Sequence, residues 1–140
     1  MIKKVVMAEG NDSQGFTWTR QTIQSCCNRN LDTDPIDVKH PAGDINDFGQ
    51  HITVGHVRML ENRNTYIIAH IEMIDPTPAG CPDITSIMEH VVFRAMLDRA
   101  NVDHRKVIGS ARIACIFVIP KVADAQCQCR IHDDALKAQK

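Results

Sequence analysis

The chain has 140 residues, 44% of them apolar, and a formal net charge of −1. That is the size of one domain, residues 1–140, able to bury its own core without disulfide staples. Near-neutrality offers no basic stripe for nucleic acid, and no window approaches the roughly 20 apolar residues that cross a bilayer.

The N-terminal "MIKKVVMAEGND" holds only a short apolar run, so no signal peptide is expected and the chain reads as cytoplasmic. "IKKVVMAEG" predicts a first strand, stopped by the polar loop "GNDSQG". A helix follows to about Asn28, with Thr19 as N-cap and Trp18 and Ile23 as a hydrophobic staple across it. "PIDVKHP" predicts a short strand in which Ile36, Val38 and His40 share one face, ended by Pro41. Two longer strands are expected at about 50–60 and 65–74, joined by a hairpin turn at "ENRN".

Asp83 is a good N-cap, and Ile84, Ile87, Met88, Val91, Val92, Ala95 and Met96 then fall on a helical stripe, which predicts a second helix. Residues 110–119 are strongly β-forming up to Pro120, and the tail beyond them is polar. The predicted order is β-α-β-β-β-α-β. The fold class is α+β: a mostly antiparallel barrel or strongly curved sheet with two flanking helices.

Six cysteines, Cys26, Cys27, Cys81, Cys115, Cys127 and Cys129, are read as free thiols, with Cys115 a buried small hydrophobe. Cys127, Cys129 and His132 cluster in the tail, but their spacing departs from the usual C-x₂-C zinc hairpin, so no metal and no cofactor is expected. Two residues of catalytic type stand at predicted strand ends. Ser110 opens one strand and His40 closes another, and a neutral imidazole is the usual base for a serine hydroxyl. Arg112 shares a face with Ser110 by alternation and could support an oxyanion, as could the backbone around Gly109. Composition alone gives these residues an equally ordinary reading. Serines at strand ends are commonly just polar, and six other histidines compete with His40. Among them, His70 reads as a satisfied sheet residue and His90 as a solvated one.

The order of these segments resembles the prohead (capsid maturation) proteases of tailed bacteriophages. "VVMAEGNDSQGFTWTRQTIQSC" is similar to the family's opening strand, acidic-Gly turn and helix, and "IDVKHP" to the strand that ends in its catalytic histidine. "FGQHITVGHVRMLENRNTYIIAHIEMI" resembles the following strand and hairpin. "DITSIMEHVVFRAML" sits where the family has a helix, and "VIGSARIA" resembles the strand bearing its serine. The resemblance implies a herpesvirus-assemblin-like barrel. It also implies a serine endopeptidase that cleaves scaffold and major capsid protein inside the immature head, in the host cytoplasm. Ser110 would be the nucleophile and His40 the base. The orienting acid would be Asp12, or else Asp124 or Asp133 downstream of the serine. Partners would be the phage scaffold and capsid protein, with self-association open and neither nucleic acid nor membrane involved. Two other readings stand beside the protease. One is a catalytically inactive virion protein on the same barrel, such as a decoration or cement subunit; the other is a small phage-encoded inhibitor module.

Overall fold

The structure is a computed structural model and describes residues 1–12, 14–41, 51–121 and 130–131. Strand β1 spans Ile2–Ala8, and its inward residues Val6 and Met7 are almost fully buried. A minimal hairpin, β2 (Gly10–Asn11) and β3 (Thr17–Trp18), leads into helix α1, Arg20–Cys27. Thr19 caps α1 as expected. Its hydroxyl accepts from the Thr22 amide, and the Thr22 hydroxyl accepts in turn from the Thr19 amide, a reciprocal capping box. Trp18 and Ile23, the expected staple, are 2% and 0% exposed.

Strands β4 (Asp37–Pro41), β5 (His51–Asn62) and β6 (Tyr66–Met73) follow near their predicted places. The β5–β6 turn puts Asn64 at φ 67°, a left-handed position that asparagine tolerates well. At Gly55 the backbones crowd together. A Cβ there would lie 2.9 Å from the Glu72 carbonyl oxygen, so glycine lets β5 lie this close to β6.

The second predicted helix is only half present. Asp83 caps a 3₁₀ helix over Ile84–His90, its side chain accepting from the Thr85 amide. Val91–Val102 is instead strand β7, paired antiparallel along β8, Val107–Pro120. The stripe that reads as one helical face is an apolar run buried on two faces. Phe93, Ala95 and Leu97 turn to the main core, whereas Met96 turns to a second cluster with Phe117 and Ile119. Short apolar runs do not distinguish the two periods, and here the unpaired edge of β8 decided the matter. A last strand, β9 (Arg130–Ile131), pairs parallel to β7 at Met96–Leu97.

Together the strands form one strongly curled half-barrel in the order β1-β6-β5-β4-β8-β3-β2, with β7 also on β8 and β9 on β7. The α+β class with a curved, mostly antiparallel sheet and flanking helices therefore stands. Strand β8 organises it. One edge of β8 is paired by β7; among the described residues the other is paired in two patches, parallel to β3 at Val107–Ile108 and parallel to β4 at Ile116–Phe117. In the gap between those patches, side chains of α1 and its exit take over the work of a missing strand. The Thr22 hydroxyl donates to the Ile108 carbonyl (2.7 Å), Ser25 accepts from the Ala111 amide (3.1 Å), and Arg29 Nη1 donates to the Ile113 carbonyl (2.7 Å). An edge so buried would otherwise hold costly unpaired backbone groups.

Candidate functional site

Ser110 lies in β8 opposite Asn101 of β7, half-buried, and its hydroxyl takes no hydrogen bond among the described residues. Gly109 before it is the extra residue where the β7–β8 register slips, between the pairs Ile108–Val102 and Ser110–Asn101. Asp12 lies toward the same end of β8, because its hairpin joins the sheet through Thr17 and Trp18 against Val107 and Ile108. Its carboxylate is already committed there. Oδ1 accepts from the Gln14 and Phe16 amides (2.8 and 3.0 Å), and Oδ2 from Trp18 Nε1 (2.8 Å). Asp12 is thus a turn-builder, which aspartate favours because its side chain can bond its own loop. Asp124 and Asp133 lie outside the described residues, as do Cys127, Cys129 and His132 of the tail cluster.

His40 goes elsewhere. Strand β4 runs parallel to β8 with Val38 beside Ile116 and Lys39 beside Phe117, which sets His40 level with Val118. That is eight residues beyond Ser110, or about 26 Å of strand at roughly 3.3 Å per residue. Curl and a bulge shorten this path slightly. They cannot bring imidazole and hydroxyl to the ~3 Å that proton transfer needs. The structure therefore gathers Ser110 and Asp12 at one end of β8 and leaves His40 at the other. At its own end, His40 pairs across β5 with Ile52, and its Nδ1 is buried without a partner among the described residues.

Arg112 does share the face of Ser110, but its guanidinium is spent on two carboxylates. Nη2 and Nε donate to Asp34 (2.6 and 3.3 Å), and Nη1 donates to Asp98 Oδ2 (2.9 Å). Asp34 also meets Arg29, whose side chain is only 6% exposed. The Arg112 hydrogen bond holds the Asp34 carboxyl below its ordinary value, and Asp34 in return raises the guanidinium. Burial pulls the Arg29 guanidinium down, against the nearby Asp34 charge. The oxyanion role expected of Arg112 is thus replaced by a bridge that ties the loop after α1 to β7 and β8. Sequence reasoning missed this cluster, since Arg29, Asp34, Asp98 and Arg112 have no motif spacing. The β7–β8 register and the docking of the loop after α1 on β8 unite them.

Three other described histidines, His56, His70 and His90, fall into ordinary places. His70 Nε2 meets Glu61 Oε1 at 2.7 Å and His56 Nδ1 meets Asp37 Oδ1 at 3.0 Å, so His70 is a satisfied sheet residue as expected. His90 is exposed at the end of the 3₁₀ helix. Cys115 is mostly shielded, and burial pushes its thiol up to about 11, which leaves it unreactive near neutral pH. Among the described residues no helix is long and apolar enough to cross a membrane. Comparison with protein-family models, with curated proteins and with solved structures finds no match.

Proposed function

We propose that this chain is a non-catalytic virion protein of the prohead-protease type, a shell-binding subunit that keeps the barrel and has no working serine centre. The phage setting rests on the ordered run of segments that resembles that family. The absence of catalysis rests on one observation, the eight-residue offset along β8 between Ser110 and the level of His40. A serine without a base within reach is a weak nucleophile. The spent carboxylate of Asp12 and the doubly bridged Arg112 point the same way. The partners in this reading are copies of the phage capsid protein.

The test is co-expression with the scaffold and capsid proteins of its phage, for the natural chain and for Ser110→Ala. Expected are identical capsid-protein masses in both cases and a fixed number of copies of the chain on mature shells. Cleavage products that vanish with Ser110→Ala would overturn the reading.

One observation favours the peptidase as a second reading, the buried Nδ1 of His40, which has no partner among the described residues. A histidine so placed is what a base looks like before its partner arrives. A fluorophosphonate probe decides it: covalent labelling of a serine, abolished by His40→Ala, would restore the enzyme.

A further inference from the structure

Strand β4 covers only part of its neighbour. Its pairs with β5 end at Asp37 opposite His56, and one further bond follows, from the Val57 amide to the Ile36 carbonyl (3.0 Å). Beyond it, residues 58–62 of β5 pair with β6 on one edge and, among the described residues, with no strand on the other. The hairpin shows which groups that edge presents. The Arg63 amide donates to the Tyr66 carbonyl (3.0 Å), so residue 63 faces β6. The alternation of an antiparallel ladder then turns the N–H and C=O of Asn62 and Leu60 the other way. Among the described residues no backbone bond outside the ladders reaches Leu60.

An open groove of about 480 Å³ lies along this edge. Met59 and Leu60 form its strand side, and Cys27, Asn30 and Leu31, from the end of α1 and the loop after it, form the opposite wall. Cys27, Leu31 and Leu60 are partly buried against the main core, and Met59 is 44% exposed. The two cations bordering the groove are already engaged. Arg58 donates to Glu72 (2.8 Å), and Arg29 donates to the Ile113 carbonyl (2.7 Å) and meets Asp34. Apart from the exposed Asp32 at the rim, the groove offers a strand edge and apolar side chains.

We propose that residues 58–62 of β5 take up an extended, apolar peptide segment of a partner protein as an added strand, in the lane that β4 leaves free. A strand edge bonds the backbone of an extended chain, and alternate side chains of that chain would cover Leu31 and Leu60. The lane admits about five residues, roughly 16 Å of strand. A second copy of this chain does not fit it. Arg29 and Asp34 tie the wall to β8, on the far side of the lane, so the wall of each copy would stand where the sheet of the other must lie. The inference rests on this edge and not on the shell-binding reading, so either can fail without the other.

The test uses the full chain and a short fluorescent peptide alternating valine and threonine, followed by anisotropy. Expected is saturable binding that changes little with added salt and falls by about tenfold or more in Leu31→Glu. The same peptide N-methylated throughout, which has no strand donors, should not bind. In the natural chain the Leu60 amide should exchange with solvent faster than that of Glu61, and slow when the peptide is added. That arm keeps the test valid if Leu31→Glu misfolds. No binding, equal binding of the methylated peptide, or unchanged exchange at Leu60 would overturn the proposal. Protection of the Leu60 amide at rising chain concentration, without peptide, would also overturn it in favour of self-association.

Discussion

The two ends of strand β8 are held by different physics. From Ile108 to Ile113 the strand adds directional polar contacts to the burial of Ile108 and Ile113 in the main core, with Thr22, Ser25 and Arg29 standing in for a neighbouring strand. From Ile116 to Ile119 it is fixed by burial. Ile116 and Val118 enter the main core, while Phe117 and Ile119 form a second cluster with Met96 on the opposite face. The first end has room for a half-exposed Ser110 and a charged Arg112; the second has room for almost nothing polar, and His40 beside it leaves a ring nitrogen unpaired among the described residues. A serine centre would need both ends at one point. The strand that carries both keeps them apart.

The comparison makes the second end the more expensive to disturb. Ile116→Ala removes a side chain that is 0% exposed between β4 and β7 and should cost about 3–4 kcal/mol in urea unfolding. A cost below ~1 kcal/mol would show that this end is loosely packed. At the first end, Thr22→Val keeps the shape and deletes the hydroxyl that donates to the Ile108 carbonyl. The expected loss is about 1–2 kcal/mol: Thr19 Oγ1 still reaches that carbonyl at 3.1 Å, but the Thr19 amide loses its capping-box acceptor.

Acid should sharpen the contrast, since the carboxylates at the first end are held low. Arg112 depresses Asp34, and backbone amides, that of Val107 first, depress Asp103 at the turn before β8. A carboxyl whose folded value lies below its unfolded value contributes stability above the unfolded value. That contribution disappears as pH falls through the folded one. Urea midpoints should therefore drop between about pH 5 and pH 2, and Asp34→Asn should flatten the slope. An unchanged slope in that variant would remove Asp34 from the account. The smallest effect is expected at Ser110→Ala, within about 0.5 kcal/mol in unfolding, because the hydroxyl is unbonded among the described residues.

Legibility followed range. Helix α1, its Thr19 cap and the Trp18–Ile23 staple lie within a few residues of one another, and the sequence reads them correctly. The β5–β6 hairpin is equally local. Val91–Val102 misreads as helix because its apolar spacing satisfies either period, and the pairing that settles it comes from β8, across the turn. The candidate site depends on the longest range of all. Ser110 and His40 sit near the strand ends expected of them, yet which residues of β8 stand beside β4 leaves no trace in either segment.

What the sequence determined by itself is the strand-rich α+β class, the capped helix and the hairpin, because capping, turn chemistry and alternation act between near neighbours. What only the tertiary structure decided is the company each polar side chain keeps: Asp12 with its own turn, Arg112 with two aspartates, and His40 with an apolar strand end. The physical reason is register. A parallel neighbour can dock at any of several offsets along a long apolar strand, and burial of the core-facing side chains across the sheet selects one of them.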